Sequence, residues 1–159
     1  MSISTIRRAG PDDAGALSEI LATTFLADQA RYIDEPVDPG FVRQFSVDLV
    51  ARRLSAMAVA ELDGVPVGMV YIEGARIEAV NVLPGYQRRG VGRALVGWAE
   101  RELALSGERS ATLDTQEANG PARAFYESCG YAVVARWAQT EFTTAPVPMV
   151  RMSKSLPGG

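Results

Sequence analysis

A segment rich in glycine and arginine decides the fold: Gln87-Arg88-Arg89-Gly90-Val91-Gly92-Arg93-Ala94. It follows an apolar, β-rich stretch at residues 77–83 and opens a stretch with the periodicity of an amphipathic helix. Backbone N–H groups at a helix N-terminus lack partners within the helix, and the helix dipole favours an anion there. Glycines let the backbone approach phosphate oxygens closely, and arginines add positive charge nearby. The segment therefore predicts a pyrophosphate-binding loop between a strand and a helix.

Two common phosphate-binding loops do not explain this segment. A Walker-type loop needs Lys and then Ser or Thr after its second glycine, but Val91 and Gly92 follow Gly90 here. A dinucleotide-binding loop needs a third small residue where this chain has Leu95, and it lies near the start of its domain. The first pattern therefore fails, and the second fits weakly.

Composition narrows the possible chemistry. The chain has 159 residues, which suits one domain. Its net charge of −3 does not indicate a basic surface for binding nucleic acid. It contains no His, so a Ser-His-Asp or Cys-His mechanism within this chain is excluded. Its single cysteine, Cys129, allows no intramolecular disulfide and fits a buried structural thiol better than an acyl-Cys intermediate. The sequence shows no signal peptide and no apolar stretch of membrane-spanning length, so we expect a cytoplasmic protein with no membrane partner.

The pattern along the chain predicts an α/β (α+β) fold, with a mixed sheet and helices on both faces. We expect a single domain over residues 1–159, with a short flexible tail at about 155–159. The predicted elements are a strand at 3–8, a helix starting at 11–13, a helix at 41–57, a hairpin of 58–62 and 65–72, a strand at 77–83, a helix from 91 that ends at Gly107, a strand at 111–114, a helix from Asn119 to Gly130, and strands at 131–137 and 147–153.

Two separated motifs identify a family. The segment Gln87-x-x-Gly90-x-Gly92 resembles the acyl-coenzyme A loop of the GNAT superfamily of N-acetyltransferases. Downstream, Asn119-x-x-Ala122-x-x-x-Tyr126-x-x-x-Gly130-Tyr131 is similar to the family's Asn-x-x-Ala-x-x-x-Tyr-x-x-x-Gly-Phe segment, with Tyr in place of Phe at its end. The predicted order of elements is also that of the family. The resemblance implies a GNAT-like fold of about seven mostly antiparallel strands with a splayed central pair.

The same resemblance implies acetyl-CoA as the co-substrate. The residues expected to bind it are Val80, Val82, Gln87, Arg88, Arg89, Gly90, Val91, Gly92, Arg93, Asn119 and Tyr126. Val80 and Val82 would act through their main chain. For each arginine side chain, a solvated surface charge is an equally good interpretation. Asn119 also fits a plain helix N-cap.

Transfer of an acetyl group from a thioester to an amine makes three demands. The amine must lose a proton, since an alkylammonium has a pKa of about 10.4. The oxyanion must be stabilised by preorganised donors, and the departing thiolate benefits from a proton donor. Direct transfer needs no covalent enzyme intermediate and no metal.

Two residues are candidates for the proton transfers. The resemblance implies that Tyr126 is the general acid that protonates the coenzyme A sulfur, and the alternative is a tyrosine packed in the core. Glu78 is the leading general base, directly or through water. Strand periodicity puts Arg76, Glu78, Val80 and Val82 on one face, and the resemblance implies that catalytic groups occupy early positions of this strand on that face. A carboxylate beside Val80 is expected to have a raised pKa, which suits a base. The alternative is a partly exposed Glu78 paired with Arg76 or another arginine.

The acceptor is expected to be an amine. The segment between the first two helices contains four acids, Asp28, Asp34, Glu35 and Asp38, which favour a cationic amine if they cluster and otherwise form a solvated loop. The sequence leaves a small amine, an amino acid, a peptide N-terminus, a lysine side chain and an aminoglycoside open. A homodimer is possible, since many relatives of this family dimerise. The alternative function is an acyl-CoA-binding sensor or regulatory domain without catalysis.

Overall fold

A computed structural model describes residues 5–157 and shows one mixed sheet with helices on both faces. The strands are β1 (Thr5–Arg8), β2 (Met57–Leu62), β3 (Val65–Glu73), β4 (Arg76–Val82), β5 (Ser110–Gln116), β6 (Ala132–Gln139) and β7 (Val147–Ser155). The helices are α1 (Ala14–Thr24), α2 (Pro39–Arg53), α3 (Val91–Leu105) and α4 (Gly120–Ser128). The predicted order of elements is confirmed, although residues 3 and 4 of the first predicted strand lie outside the described residues.

The sheet has the strand order β1-β2-β3-β4-β5-β7-β6 and divides between β4 and β5. Strands β1 to β4 pair antiparallel, as do β5, β7 and β6. Within residues 5–157, β4 and β5 pair in parallel at a single register position, Arg76 with Thr112. Beyond that position the two strands separate. The predicted splayed central pair is therefore confirmed.

Each face of the sheet has its own apolar core. On one face, Leu95 and Leu103 of α3 pack with Leu113 and Met152 of the sheet, and α4 adds Phe125. On the other face, a second cluster joins α1 and α2 to the central strands, with members including Leu17, Val50 and Met69. The helices on both faces follow from the apolar stripes that the sequence predicts.

Helix α1 continues into two irregular turns. After Thr24 the chain forms a π-helical turn, Phe25–Gln29, and then a short 3-10 turn, Ala30–Tyr32. Such wide turns interrupt regular helices and are frequent at functional sites. Within residues 5–157, no helix is long and apolar enough to cross a membrane.

The predicted end of the second helix is wrong. It was expected at residue 57, but α2 ends at Arg53 and Met57 begins β2. At the other end of the described residues, Ser155 closes β7 and the Leu156 side chain is buried. Residues 158 and 159 lie outside the described residues.

Gly68 of β3 sets how closely α3 approaches the sheet. A Cβ atom at this position would lie 3.0 Å from the Asn81 carbonyl oxygen, 3.1 Å from Leu95 Cδ1 and 3.3 Å from Val91 Cγ1. The carbonyl belongs to the sheet and Val91 is the first residue of α3, so neither moves easily. Any side chain here would push the start of α3 away from β4.

We expect Gly68→Ala to lower the free energy of unfolding by about 1 to 3 kcal/mol, since it overpacks a close contact. The measurement is the midpoint of urea unfolding at unchanged slope. Gly97→Ala is the matched control, because its Cβ would lie an ordinary 3.5 Å from Arg101 Nη1. That substitution, inside α3, should instead stabilise by up to about 1 kcal/mol through helix propensity. Equal stability of the two variants would contradict the argument.

Candidate active site

The gap between β4 and β5 is the centre of the candidate site. Its closed end is bridged by Arg76, which donates from Nη2 to Asp114 Oδ2 at 2.8 Å. Arg151 of β7 adds two further bonds to the same carboxylate, at 2.9 and 3.0 Å. Burial opposes ionisation of Asp114, but the hydrogen bonds from Arg151 and Arg76 outweigh it and lower its pKa. Toward its other end, the edge of β4 that faces β5 has no strand partner among the described residues.

The glycine-rich segment lies where β4 leaves the sheet. Within this segment, Arg88 has a left-handed backbone conformation at φ 63° and Gly90 at φ 84°, and so does Gly85 in the turn just before it, at φ 82°. Gly90 is the N-cap of α3 and offers no side-chain cap, and the first turn of α3 contains no acidic residue. Because nothing on the helix itself caps these N–H groups, the start of α3 can bind an anion.

The side chains of this segment have divided roles. Gln87 donates from Nε2 to the Val82 carbonyl at 3.0 Å and to Asp28 Oδ2 at 2.8 Å, so it ties the loop to β4 and to the π-helical turn. The Arg89 guanidinium lies 5.4 Å from the centre of the Tyr86 ring. The exposed Arg88 side chain has no partner within residues 5–157. Backbone N–H groups and Arg88 are therefore the groups most available to an anion.

Helix α4 lies against the first turn of α3. A Cβ atom on Gly92 would be 3.2 Å from Phe125 Cζ, so Gly92 allows the two helices to meet. Arg93 donates to the Ser128 hydroxyl at 2.9 Å, and this bond links the same helices further along. The buried Asn119 accepts a bond from the Ala122 N–H at 3.1 Å. Asn119 is thus the N-cap of α4, and its side-chain N–H groups have no partner among the described residues.

Tyr126 of α4 is partly buried and packs against the core on the α3 face of the sheet. Its ring lies 5.2 Å from that of Phe125 and meets the Tyr131 ring edge-on at 6.1 Å. Burial raises the pKa of the Tyr126 phenol, and the Cys129 thiol raises it further. Its hydroxyl has no hydrogen-bond partner within residues 5–157, whereas the Tyr131 hydroxyl donates to Glu100 Oε2 at 2.8 Å. Tyr126 therefore holds an uncommitted, protonated phenol.

Glu78 is the inserted residue of a β-bulge. Tyr71 pairs with Ala79 and Ile72 with Ile77, so Glu78 has no opposite residue on β3. The bulge reverses the alternation of β4, because Ile77, Val80 and Val82 all contribute to the same apolar cluster. The prediction that Arg76, Glu78, Val80 and Val82 share one face is therefore wrong, since a strand keeps period-two alternation only without an inserted residue. Glu78 Oε1 accepts a bond from Arg76 Nε at 3.1 Å.

The opposite side of the gap is covered by segments distant in sequence. Three of the four acids of the predicted cluster have separate partners, since Asp28 binds Gln87, Glu35 Oε1 accepts from the Thr144 N–H at 2.7 Å, and Asp38 caps α2. The loop between β6 and β7 reaches α2 through Phe142, whose ring lies 5.3 Å from that of Phe45. These contacts hold the loop between β6 and β7 against α2 and against the segment between the first two helices.

Some expected residues come together and others do not. Gly90, Val91 and Gly92 start α3, and Tyr126 and Asn119 lie on the neighbouring α4, whereas Glu78 lies apart in a bulge of β4. The thiol of Cys129 is buried. Within residues 5–157, no group of three or more His, Cys, Asp and Glu side chains is arranged to hold a metal ion. The sequence analysis missed Gly68 and the buried amides Asn81 and Gln116, whose only signal is a polar or small residue inside an apolar strand.

Known proteins share this sequence pattern and this fold. A curated relative is the peptidyl-lysine N-acetyltransferase YjaB of Escherichia coli, 32% identical over 97 residues. That match spans 61% of this chain and 61% of the relative's own length. The crystal structure of an N-acetyltransferase from Rhodopseudomonas palustris aligns with a TM-score of 0.80 at 26% identity, covering 98% of each chain. The yncA structure from Salmonella typhimurium, solved with acetyl-CoA, aligns with a TM-score of 0.72 at 24% identity, covering 99% of this chain and 96% of the other.

The family assignment rests on a longer stretch of sequence. The profile of the acetyltransferase (GNAT) family matches residues 16–131, which include both motifs and most of the sheet. The chain therefore belongs to the GNAT family of acetyltransferases.

Proposed function

We propose that this chain moves an acetyl group from acetyl-CoA directly to a primary amine. The observation that carries the proposal is the uncapped start of α3 beside the open end of the β4–β5 gap. The gap offers an unpaired strand edge to the amides of the pantetheine arm, and the helix start offers N–H groups to the pyrophosphate. The structure of yncA with acetyl-CoA supports this choice of donor.

Donor binding follows from these groups. The N–H groups of Gly90, Val91 and Gly92, with those of Arg88 and Arg89, would hold the pyrophosphate, and the Arg88 guanidinium would add charge. The main chain of Val80 and Val82 would pair with the pantetheine amides. Asn119 would use its free side-chain N–H groups on the pantetheine arm while its carbonyl oxygen still caps α4. Arg93 contributes by holding α4 against α3.

Tyr126 and Glu78 would carry the proton transfers. The amine nitrogen attacks the thioester carbonyl, and the C–S bond then breaks with its electron pair on sulfur. Tyr126 donates its proton to that sulfur, and its raised pKa keeps the phenol protonated until this step. Glu78, directly or through one water, accepts the proton that the amine loses. Arg76 donates hydrogen bonds to both Glu78 and Asp114 at this position.

The proposed function is tested by release of free thiol from acetyl-CoA with a panel of primary amines that includes a lysine peptide. Saturable, amine-dependent release supports an acetyltransferase. The competing function is a sensor that binds acyl-CoA through the same loop but does not catalyse acetyl transfer. Tight coenzyme A binding without turnover of any amine would favour that sensor.

We expect Gly90→Ala to weaken coenzyme A binding at least about tenfold, because the added Cβ keeps phosphate oxygens from approaching the backbone at the start of α3 and so weakens about one charge-assisted hydrogen bond. The control is Gly85→Ala, which carries the same strain because Gly85 has φ 82° and Gly90 has φ 84°. Gly85 lies outside the N-terminus of α3, so its variant should bind coenzyme A nearly as the parent does. Equal losses of affinity by calorimetry would show that strain alone is responsible.

We expect Tyr126→Phe to lower kcat about 100-fold or more while the KM for acetyl-CoA changes little, since general acid catalysis contributes at least that much. Because the phenol pKa is raised, an acid at this position stays protonated through pH 9, so the parent should show no alkaline decline from it below that pH. Tyr71→Phe is the control, because it removes another largely buried phenol, one that donates to Glu73 at 2.9 Å. An unchanged rate and pH profile in Tyr126→Phe would show that Tyr126 is not the general acid.

We expect Glu78→Gln to lower kcat/KM about 100-fold near neutral pH and to leave coenzyme A affinity unchanged, as loss of a general base does. The amide keeps the shape of the side chain, and Arg76 retains its bond to Asp114. Glu73→Gln is the control, since Glu73 also contacts an arginine, Arg53, at 3.4 Å. If Glu78→Gln matches the parent across the pH range, bulk water or another group accepts the proton.

A further inference from the structure

Two buried amides flank the open end of the gap on the face that carries α1. Asn81 of β4 is 6% exposed and Gln116 of β5 is 7% exposed. Asn81 lies beside Ala79, which packs with the core of α1 and α2, and Gln116 alternates with Leu113 of the opposite core. Both side chains therefore point away from α3, where the donor phosphates would bind.

In each amide side chain, the nitrogen has a hydrogen-bond partner and the oxygen has none among the described residues. Gln116 donates from Nε2 to the Gln29 carbonyl at 3.1 Å, which fixes its orientation because a backbone carbonyl only accepts. Asn81 donates from Nδ2 to Thr24 Oγ1 at 2.6 Å, and the Thr24 hydroxyl donates in turn to the Ile20 carbonyl. The oxygens Asn81 Oδ1 and Gln116 Oε1 are buried and have no partner within residues 5–157.

A buried acceptor without a donor is costly, so such atoms indicate a missing partner that brings N–H or O–H groups. The two amides are tied to opposite ends of the π-helical turn Phe25–Gln29, through Thr24 just before it and through Gln29 at its end. None of the residues of this turn is buried, and polar bonds hold both of its ends. Because the two oxygens are buried, a ligand can reach them only if neighbouring residues such as those of the turn shift.

We propose that Asn81 Oδ1 and Gln116 Oε1 receive the two N–H groups of the attacking primary amine, and so select primary over secondary amines. This inference rests on the proposed function. A neutral primary amine carries two N–H bonds and one lone pair, so two acceptors on the α1 side orient the lone pair across the gap toward the thioester. The oxygens carry no net charge, so they bind the neutral amine without favouring the ammonium form as a carboxylate would.

The test compares amine binding in Asn81→Leu, Gln116→Leu and the parent, each as the full chain saturated with coenzyme A. The probes are butylamine, phenethylamine and a blocked lysine peptide, each beside its N-methyl analogue, measured by calorimetry and by steady-state KM with acetyl-CoA. Each substitution should weaken binding of the primary amine about tenfold, the effect of one lost hydrogen bond, and bring it level with the N-methyl analogue.

Thr24→Val is the structural control, because it removes the anchor of the turn and retains both amide side chains. It should keep the preference for primary amines. The inference is overturned if Thr24→Val reproduces Asn81→Leu, if both leucine variants bind amines as the parent does, if only the KM for acetyl-CoA changes, or if the parent binds no primary amine.

Turnover and binding separate this inference from the proposed function. Amine turnover with an unchanged preference in the leucine variants would leave the acetyltransferase standing and overturn the role of the amides. Amide-dependent binding of primary amines without turnover would support the site and contradict the acetyltransferase.

Discussion

The separation of β4 from β5 is the constraint on which the rest of the structure depends. A continuous sheet would pair every backbone group along this edge, and no extended ligand could bind there. The pairing stops after Arg76 and Thr112, and Arg76 keeps the strands together at that end through its bond to Asp114. The carboxylate is held ionised by Arg151 as well, so this bridge survives partial burial. The gap is thus closed at one end and open at the other.

Three glycines determine how α3 and α4 are placed at the open end of the gap. Gly68 brings the start of α3 against the sheet, Gly92 brings α4 against α3, and Gly90 leaves the helix without a side-chain cap. Each of the three serves a different need: close contact with a strand, close contact with a helix, and a left-handed turn. Loss of any one would move the N–H groups or the Tyr126 phenol relative to the gap.

The sequence predicted the α3 face well because that face is encoded locally. The loop from Gln87 to Gly92 and the cap at Asn119 each need a few neighbouring residues, and their turn chemistry is readable from residue type. The bulge at Glu78 was not readable, because it depends on the register that β3 and β4 adopt together. The π-helical turn was missed for a similar reason, since it is held by Asn81, Gln116 and Gln87, far away along the chain.

The same difference between local and distant contacts separates the proposed sites of the two substrates. The proposed donor side consists of one contiguous loop and one neighbouring helix, so a family motif can specify it. The proposed acceptor side combines the turn after α1, the ends of β4 and β5, and the loop that carries Phe142. These segments and α3 pack on opposite faces of the sheet, and the bond from Gln87 to Asp28 links the turn to the loop. A chain of this fold can therefore keep one donor while its acceptor varies, and acceptor identity has to be sought in buried polar atoms such as those of Asn81 and Gln116 rather than in the motif.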